Sequence, residues 1–88
     1  MTSPESGFEK QRQWAREDLK FLFENLQGID QPLLEESERQ IYLQTFPSVC
    51  LEIAKMDQNP DYIPSNLKVN HLRDNLSKLK DSIYRKRT

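Results

Sequence analysis

A seven-residue repeat of apolar side chains near the end of the chain most constrains the fold. Successive members lie three, four, three and four residues apart, and they are Val69, Leu72, Leu76, Leu79 and Ile83. Because an α-helix turns once every 3.6 residues, this spacing places all five on one narrow stripe, as in coiled coils and helical bundles. We predict a helix from Asn66 to Lys86, with Ser65 as its N-cap.

The rest of the chain is also typical of helices. It has 88 residues, which support one domain with a modest core, and only two glycines. No Asn-Gly or Asp-Gly pair signals a β-hairpin. We therefore predict an all-α fold, a small three- to four-helix bundle with a long basic heptad-patterned C-terminal helix. The bundle is expected to form a single helical domain over residues 7–88, after a disordered N-terminal lead of residues 1–6.

The first helix has recognisable start and stop signals. Ser6 and Glu9 have the spacing of a capping box, in which each side chain binds a backbone N–H at the helix start. Gly28 is a residue type that ends helices in the left-handed conformation. These signals predict a first helix from Gly7 to Gln27. Its inward stripe is Phe8, Ala15, Leu19, Leu22 and Leu26.

Prolines suggest that the middle of the chain is divided into two helices. Asp30 is a suitable N-cap for a second helix, Pro32 to Gln44. Proline in a helix interior costs about 3 kcal/mol. We therefore expect a break or strong kink at Thr45 to Pro47, with Thr45 capping a third helix from Pro47 to Asp57. The predicted inward residues are Leu34, Ile41, Val49, Cys50, Ile53 and Met56, with one or both of Leu33 and Tyr42, and Tyr62 or Ile63 tucked against the core.

Charge is sorted by position along the chain. Residues 1–63 carry six Lys/Arg against twelve Asp/Glu, whereas residues 64–88 carry seven against two. Two interpretations follow from this asymmetry. The basic helix lies along an acidic surface within the fold, or each half meets an oppositely charged partner, as in an adaptor that bridges two subunits.

Two groups of residues are candidates for partner binding. The first is the basic face of the last helix, represented by Arg73, Lys80 and Arg85. The second is the aromatic pair Trp14 and Phe21, which lies off the apolar stripe of the first helix and either packs against a second helix or forms a binding patch. We predict a non-enzymatic protein-protein interaction module, an adaptor, regulator or small subunit of a larger complex.

Two alternatives use the same last helix. Its apolar seam is compatible with packing in its own bundle, with docking on another protein, or with pairing to a second copy, which would make a self-associating structural protein and a homodimer. Its cations also suit a nucleic-acid-binding accessory protein. The net charge of −1, and Asp74 and Asp81 within the basic stripe, favour a protein partner over nucleic acid.

Motifs for catalysis are missing from the sequence. It has one His and one Cys, and no Gly-rich phosphate loop or paired-Cys motif. We expect no catalytic residue, metal or cofactor, with His71 at the surface or its boundary and Cys50 in packing. No apolar stretch approaches the 18 to 20 residues that cross a bilayer. The expected location is intracellular, in the cytoplasm or the nucleus, without a membrane partner.

Overall fold

The computed structural model describes residues 4–87, with side chains from Gly7 onwards. In this range three α-helices are separated by two connections: α1 (Pro4–Gln27), α2 (Glu36–Gln58) and α3 (Asn66–Arg87), with a one-turn 3₁₀ helix (Gln31–Leu33) before α2. The predicted all-α bundle is confirmed in its three-helix form. Its principal extents are 52 × 24 × 19 Å. The predicted disordered lead falls partly on residues 1–3, which lie outside the described residues.

The start of α1 differs from the prediction, and its end is reached without the predicted glycine conformation. The helix begins at Pro4, so Ser6 lies within it, and the predicted N-cap at Ser6 is wrong. Proline is favoured in the first helical turn, where its missing N–H leaves no bond unmade. The helix ends at Gln27 as predicted, but Gly28 does not adopt a positive φ. Instead the Gly28 N–H lies within hydrogen-bond distance of the carbonyls of Glu24 and Asn25.

The predicted break at Pro47 is wrong, because α2 is one continuous helix that contains this proline. Pro47 is exposed, so the carbonyl of Leu43, which its missing N–H leaves unpaired, is on the solvent side of the helix. The residues buried by α2 continue at helical spacing across the proline, so one packed stripe offsets its cost. They are Tyr42, Thr45, Val49, Glu52 and Met56.

Capping around α2 also differs from the prediction. Asp30 makes no capping bond, and α2 begins at Glu36 rather than Pro32. Its N-cap is Glu35, whose backbone N–H donates to Glu38 Oε1 at 2.9 Å. Thr45 caps no helix, since its hydroxyl is buried and accepts a hydrogen bond from Asn75 Nδ2 at 3.1 Å. Ser65 does cap α3 as predicted, accepting from the N–H of Lys68 at 3.1 Å.

Side-chain contacts fix how the helices run. Between α2 and α3, Glu52 contacts Lys68 and Thr45 contacts Asn75. The earlier residue of α2 is paired with the later residue of α3, so these two helices are antiparallel. Between α1 and α3 the order is the same on both helices. Arg73 pairs with Asp18, and seven residues later Lys80 bonds Asn25. Helices α1 and α3 are therefore parallel, with α2 antiparallel to both.

The core lies between the three helices. All five members of the seven-residue repeat are buried, together with Leu19, Leu22 and Leu26 of α1. Full burial of one such side chain contributes about 1.5–3 kcal/mol. Leu34 and Tyr42 are buried and Leu33, Ile41, Ile53 and Tyr62 pack against the core, as predicted. Among residues 4–87, no helix combines the length and apolar character that crossing a bilayer requires.

Candidate functional site

Much of the positive charge of α3 is paired with carboxylates of α1, α2 and the connection between them. Four of its cations form such pairs, at N to O distances from 2.9 to 3.8 Å. This confirms the interpretation in which the basic helix lies along an acidic surface of the same chain. The four pairs are Lys68–Glu52, Arg73–Asp18, Lys86–Glu38 and Arg87–Asp30.

The two aromatic candidates of α1 are on the surface. Trp14 is 68% exposed and Phe21 is 53% exposed. They lie seven residues apart, which is two helical turns, so they share one side of α1. Neither side chain is buried between helices, although Trp14 lines a groove that α3 residues also line.

Two of the basic candidates lie beside these aromatic residues. Arg73 and Trp14 both line a groove of about 250 Å³ between α1 and α3, and the Arg73 guanidinium is 3.8 Å from Asp18. Farther along, Lys80 Nζ donates to Asn25 Oδ1 at 3.0 Å, and Asn25 Nδ2 donates to the carbonyl of Phe21 at 2.8 Å. The structure thus brings four of the five predicted residues to one side of the bundle.

Tyr84 extends the same side and was missed in the sequence. It is 71% exposed and lines a second groove between α1 and α3, of about 540 Å³, together with Lys80 and Ile29. Its position four residues after Lys80 was the available signal, because residues four apart share a helix face. We call this side the aromatic face and define it by six residues: Trp14, Asp18, Phe21, Arg73, Lys80 and Tyr84.

Arg85 lies elsewhere. It lines a groove of about 540 Å³ between α2 and α3, with Lys78, Ile41 and Glu38 among its neighbours. That groove is on the other side of α3 from Lys80. Arg85 is therefore not part of the aromatic face.

Glu38 is the centre of a polar cluster beside Arg85. Its carboxylate accepts hydrogen bonds from the Ser82 hydroxyl, the Glu35 backbone N–H and Lys86, and these lower the pKa of Glu38 to about 2. Lys86 Nζ is 2.9 Å from the Glu38 carboxylate and also donates to the carbonyl of Leu33. The cluster joins the start of α2 to the end of α3.

A second polar cluster surrounds Glu52, whose side chain is fully buried. Tyr62 donates to Glu52 Oε1 at 2.6 Å, while Lys55 and Lys68 lie 3.4 and 3.7 Å from Oε2. The bond to Glu52, together with burial, raises the pKa of Tyr62 to about 12. Lys55 also lies 5.6 Å from the centre of the Tyr62 ring, a cation–π distance. The cluster fastens the connection between α2 and α3 to the buried side of the second half of α2.

In the described part of the chain, no three His, Cys, Asp or Glu side chains converge as a metal site would require. Cys50 is half-buried and lines a groove between α1 and α2. His71 is exposed.

Comparison with known proteins identifies no similar protein. The sequence matches no protein-family model, and no curated protein or solved structure is significantly similar to it. A function for this chain is therefore argued from its surfaces.

Proposed function

We propose that the chain is a non-enzymatic protein-binding module, an adaptor or small subunit, that holds its partner on the aromatic face. The observation that supports this most directly is the exposure of Trp14 and Phe21, at 68% and 53%, next to Arg73 and Lys80. Tryptophan, tyrosine and arginine are the residue types most enriched where binding energy concentrates in protein interfaces. The aromatic face presents each of these three types.

The arrangement of this face also lowers the entropic cost of binding. Arg73 is held near Asp18 and Lys80 is held by Asn25, so both long side chains are partly ordered before a partner arrives. Ordering such a side chain at an interface costs about 0.5–1.5 kcal/mol, and part of this cost is already met in the folded chain. The two grooves on either side of Phe21 offer places for apolar side chains of the partner.

A protein partner fits this face better than nucleic acid. Phosphate binding gains its affinity from cations that replace condensed counterions. On the aromatic face Arg73 is already 3.8 Å from Asp18, and Glu24, Asp30 and Asp81 line the groove beside Lys80. These carboxylates would repel a phosphate backbone, whereas they can pair with cations of a protein that also carries acidic groups for Lys80.

Photo-crosslinking from single positions tests this proposal. A photoreactive amino acid placed at Trp14 or at Phe21 should give a discrete protein adduct in a native lysate, unchanged by nuclease. The same probe at Gln13, which is exposed and bonded to Glu17 on another side of α1, is the matched control and should give no such adduct. Reversing two charges, with Arg73→Glu and Lys80→Glu, should abolish the adducts at Trp14 and Phe21 while circular dichroism stays unchanged.

Three outcomes would contradict the proposal. Equal adducts from Trp14 and Gln13 would mean that the aromatic face has no special role. Loss of the adducts with nuclease, together with a steep fall in binding as salt rises, would move the contact to nucleic acid. Adducts that persist in the chain with both charges reversed would show that Arg73 and Lys80 do not contribute to partner binding.

A further inference from the structure

The two grooves of the aromatic face follow one line between α1 and α3. Asp18 contacts Arg73 and Asn25 contacts Lys80, so a residue of α1 lies level with the α3 residue 55 positions later. The offset is the same at both contacts, which lie two helical turns apart. The two helices therefore keep one register along the face, and the line of the grooves runs parallel to both.

Each groove offers an apolar site. The first, of about 250 Å³, is lined by Trp14 and by the buried Ala15 and Val69. The second, of about 540 Å³, is lined by Tyr84 and by the buried Ile83. A partner that fills both grooves with apolar side chains must reach from one to the other.

The distance between Trp14 and Tyr84 sets the length of that partner segment. In the common register Tyr84 lies level with Ile29, which is about 15 residues beyond Trp14 and so about 22 Å along the bundle. Midway between them are Phe21 on α1 and the exposed Ser77 on α3. Because Ser77 is small, the α3 side leaves room beside Phe21 for a helix to approach closely.

The walls of the grooves favour a helical partner over an extended one. Both walls are α-helices, whose backbone N–H and C=O groups bond within the helix. An extended segment would find no strand edge among residues 4–87, so its own covered backbone groups would stay unpaired. A helix satisfies its backbone internally and presents apolar side chains at intervals along one face.

The second groove carries an excess of negative charge. Glu24 and Asp81 line it, and neither is in an ion pair within the described part of the chain. The other charges that line this groove are Lys80 and the Arg87–Asp30 pair, so three carboxylates stand against two cations. The first groove has one charge of each sign and is balanced.

This charge gives the partner helix a direction. The second groove lies where both α1 and α3 end, and helix C-termini carry negative partial charge. Arg85 and Lys86, in the last turn of α3, line the groove between α2 and α3 instead. The N-terminus of a partner helix has positive partial charge, so it is favoured at the second groove.

From the register, the two grooves and the charge, we propose that the partner binds the aromatic face as one amphipathic α-helix, antiparallel to α1 and α3. This inference rests on the proposed function and adds the form and direction of the partner. The helix carries apolar side chains about 14 or 15 residues apart for the two grooves. It also carries a carboxylate for Lys80 and, near its N-terminus, a Lys or Arg for Glu24 and Asp81. In the complex it is the fourth helix of a bundle.

Two photo-crosslinks to one partner test this arrangement. The photoreactive amino acid is placed at Trp14 in one variant and at Tyr84 in another, and mass spectrometry of the adducts from a native lysate locates the attached residues of the partner. The two attachment sites should lie in one segment, about 15 residues apart, with the Tyr84 site nearer the N-terminus. Lys78 is the control position, because it is exposed on the other side of α3, in the groove with α2. A probe there should not attach to this segment.

The spacing of the attachment sites separates the possible outcomes. An extended partner would place them about seven residues apart, since a strand rises about 3.3 Å per residue, and this result would overturn the helix. Sites in two separate segments or two proteins would overturn it as well. A Tyr84 site nearer the C-terminus would overturn the direction. No adduct from either position would contradict the proposed function, and this inference with it.

A synthetic peptide of the crosslinked segment then tests the charges. It should become helical on binding the purified chain, as measured by circular dichroism. In isothermal titration it should bind about threefold more weakly, or worse, to the double variant Glu24→Gln and Asp81→Asn. Glu17→Gln is the matched control, because Glu17 is exposed on α1 and lines neither groove. Equal affinity for the native chain and the double variant would overturn the assigned direction, and a bound peptide without helix would overturn the proposal.

Discussion

Tyr62 donates its hydroxyl hydrogen to Oε1 of the fully buried Glu52 across 2.6 Å. The tyrosine lies in the connection before α3, whereas the carboxylate lies in the second half of α2. One hydrogen bond therefore links a loop to a buried residue of α2. Oε2 of Glu52 is close to two lysines, at 3.4 and 3.7 Å, but has no hydrogen-bond partner, so the bond from Tyr62 is the hydrogen bond that this carboxylate accepts in the described part of the chain.

Removing the Tyr62 hydroxyl should destabilise the fold. In Tyr62→Phe the buried Glu52 loses its donor, which costs about 1–3 kcal/mol in the free energy of unfolding. Urea denaturation followed by circular dichroism measures the loss. Tyr42→Phe is the control, because the Tyr42 hydroxyl has only a longer contact, 3.4 Å, with Gln31 Nε2. A larger loss in Tyr42→Phe than in Tyr62→Phe would contradict the central role given to the Glu52 bond.

The same bond makes stability sensitive to alkaline pH. The pKa of Tyr62 is raised from 10.0 to about 12 in the folded chain, so the folded state holds this proton more tightly than the unfolded state. Its contribution is complete below pH 10 and is lost as the pH rises from about 10 to about 12. The difference in unfolding free energy between the native chain and Tyr62→Phe should therefore shrink across that window. A difference that stays constant would mean that the Tyr62 pKa is not raised.

Glu38 should produce the opposite behaviour in acid. Its pKa falls from 4.5 to about 2 because Ser82, the Glu35 N–H and Lys86 all stabilise the carboxylate. The stability it provides is present above pH 4.5 and is lost as the pH falls towards about 2. Glu38→Gln should be less stable than the native chain at neutral pH. When the free energy of unfolding is plotted against pH, the curves of the two proteins should converge in this acid window. Parallel curves down to pH 2 would count against this pairing.

Replacing Pro47 should stabilise the fold. Pro47→Ala restores the N–H that can bond the Leu43 carbonyl and removes the ring from the interior of α2, for a gain of about 1–3 kcal/mol. Thermal unfolding followed by circular dichroism measures the gain. Pro32→Ala provides the contrast, because Pro32 is at the start of a 3₁₀ turn and its removal should bring no gain. Equal effects of the two substitutions would argue against a strained position in α2.

The fluorescence of Trp14 should show that the aromatic face is exposed to solvent in the purified chain. Trp14 is the one tryptophan of the chain and is 68% exposed. Its emission should already lie near that of tryptophan in water, be quenched efficiently by iodide, and change little in wavelength on unfolding in urea. A blue-shifted emission that moves to the red on unfolding would show that Trp14 is covered in solution and would remove it from the proposed site.

The pattern on α3 was sufficient to predict that helix, its cap and its buried face. A repeat of apolar residues depends only on helix geometry, and Ser65 acts on the backbone beside it. The position of Trp14 and Phe21 off the apolar stripe of α1 left two roles open, packing against a second helix or a binding patch, and their exposure is evident only in the folded chain. Pro47 was misjudged because its local cost was weighed without the packing of α2 on either side of it.

The residue pattern of a single helix does not predict which residues it contacts on another helix. Pairing of Arg73 with Asp18 depends on α1 and α3 being parallel and on their relative register, which is set by the lengths of α2 and the two connections. For the same reason Arg85 could not be separated from Lys80 by charge alone. A buried glutamate such as Glu52 is equally hard to foresee, since only its tertiary partners make the burial tolerable.

The parallel course of α1 and α3 has a consequence for anything fused to this chain. With an odd number of helices, a segment joined before Pro4 and one joined after Arg87 leave from opposite ends of the rod. They are separated by about the length of a 22- to 24-residue helix, 33–36 Å. Segments attached at the two ends of the bundle would therefore be held more than three nanometres apart by the length of its helices.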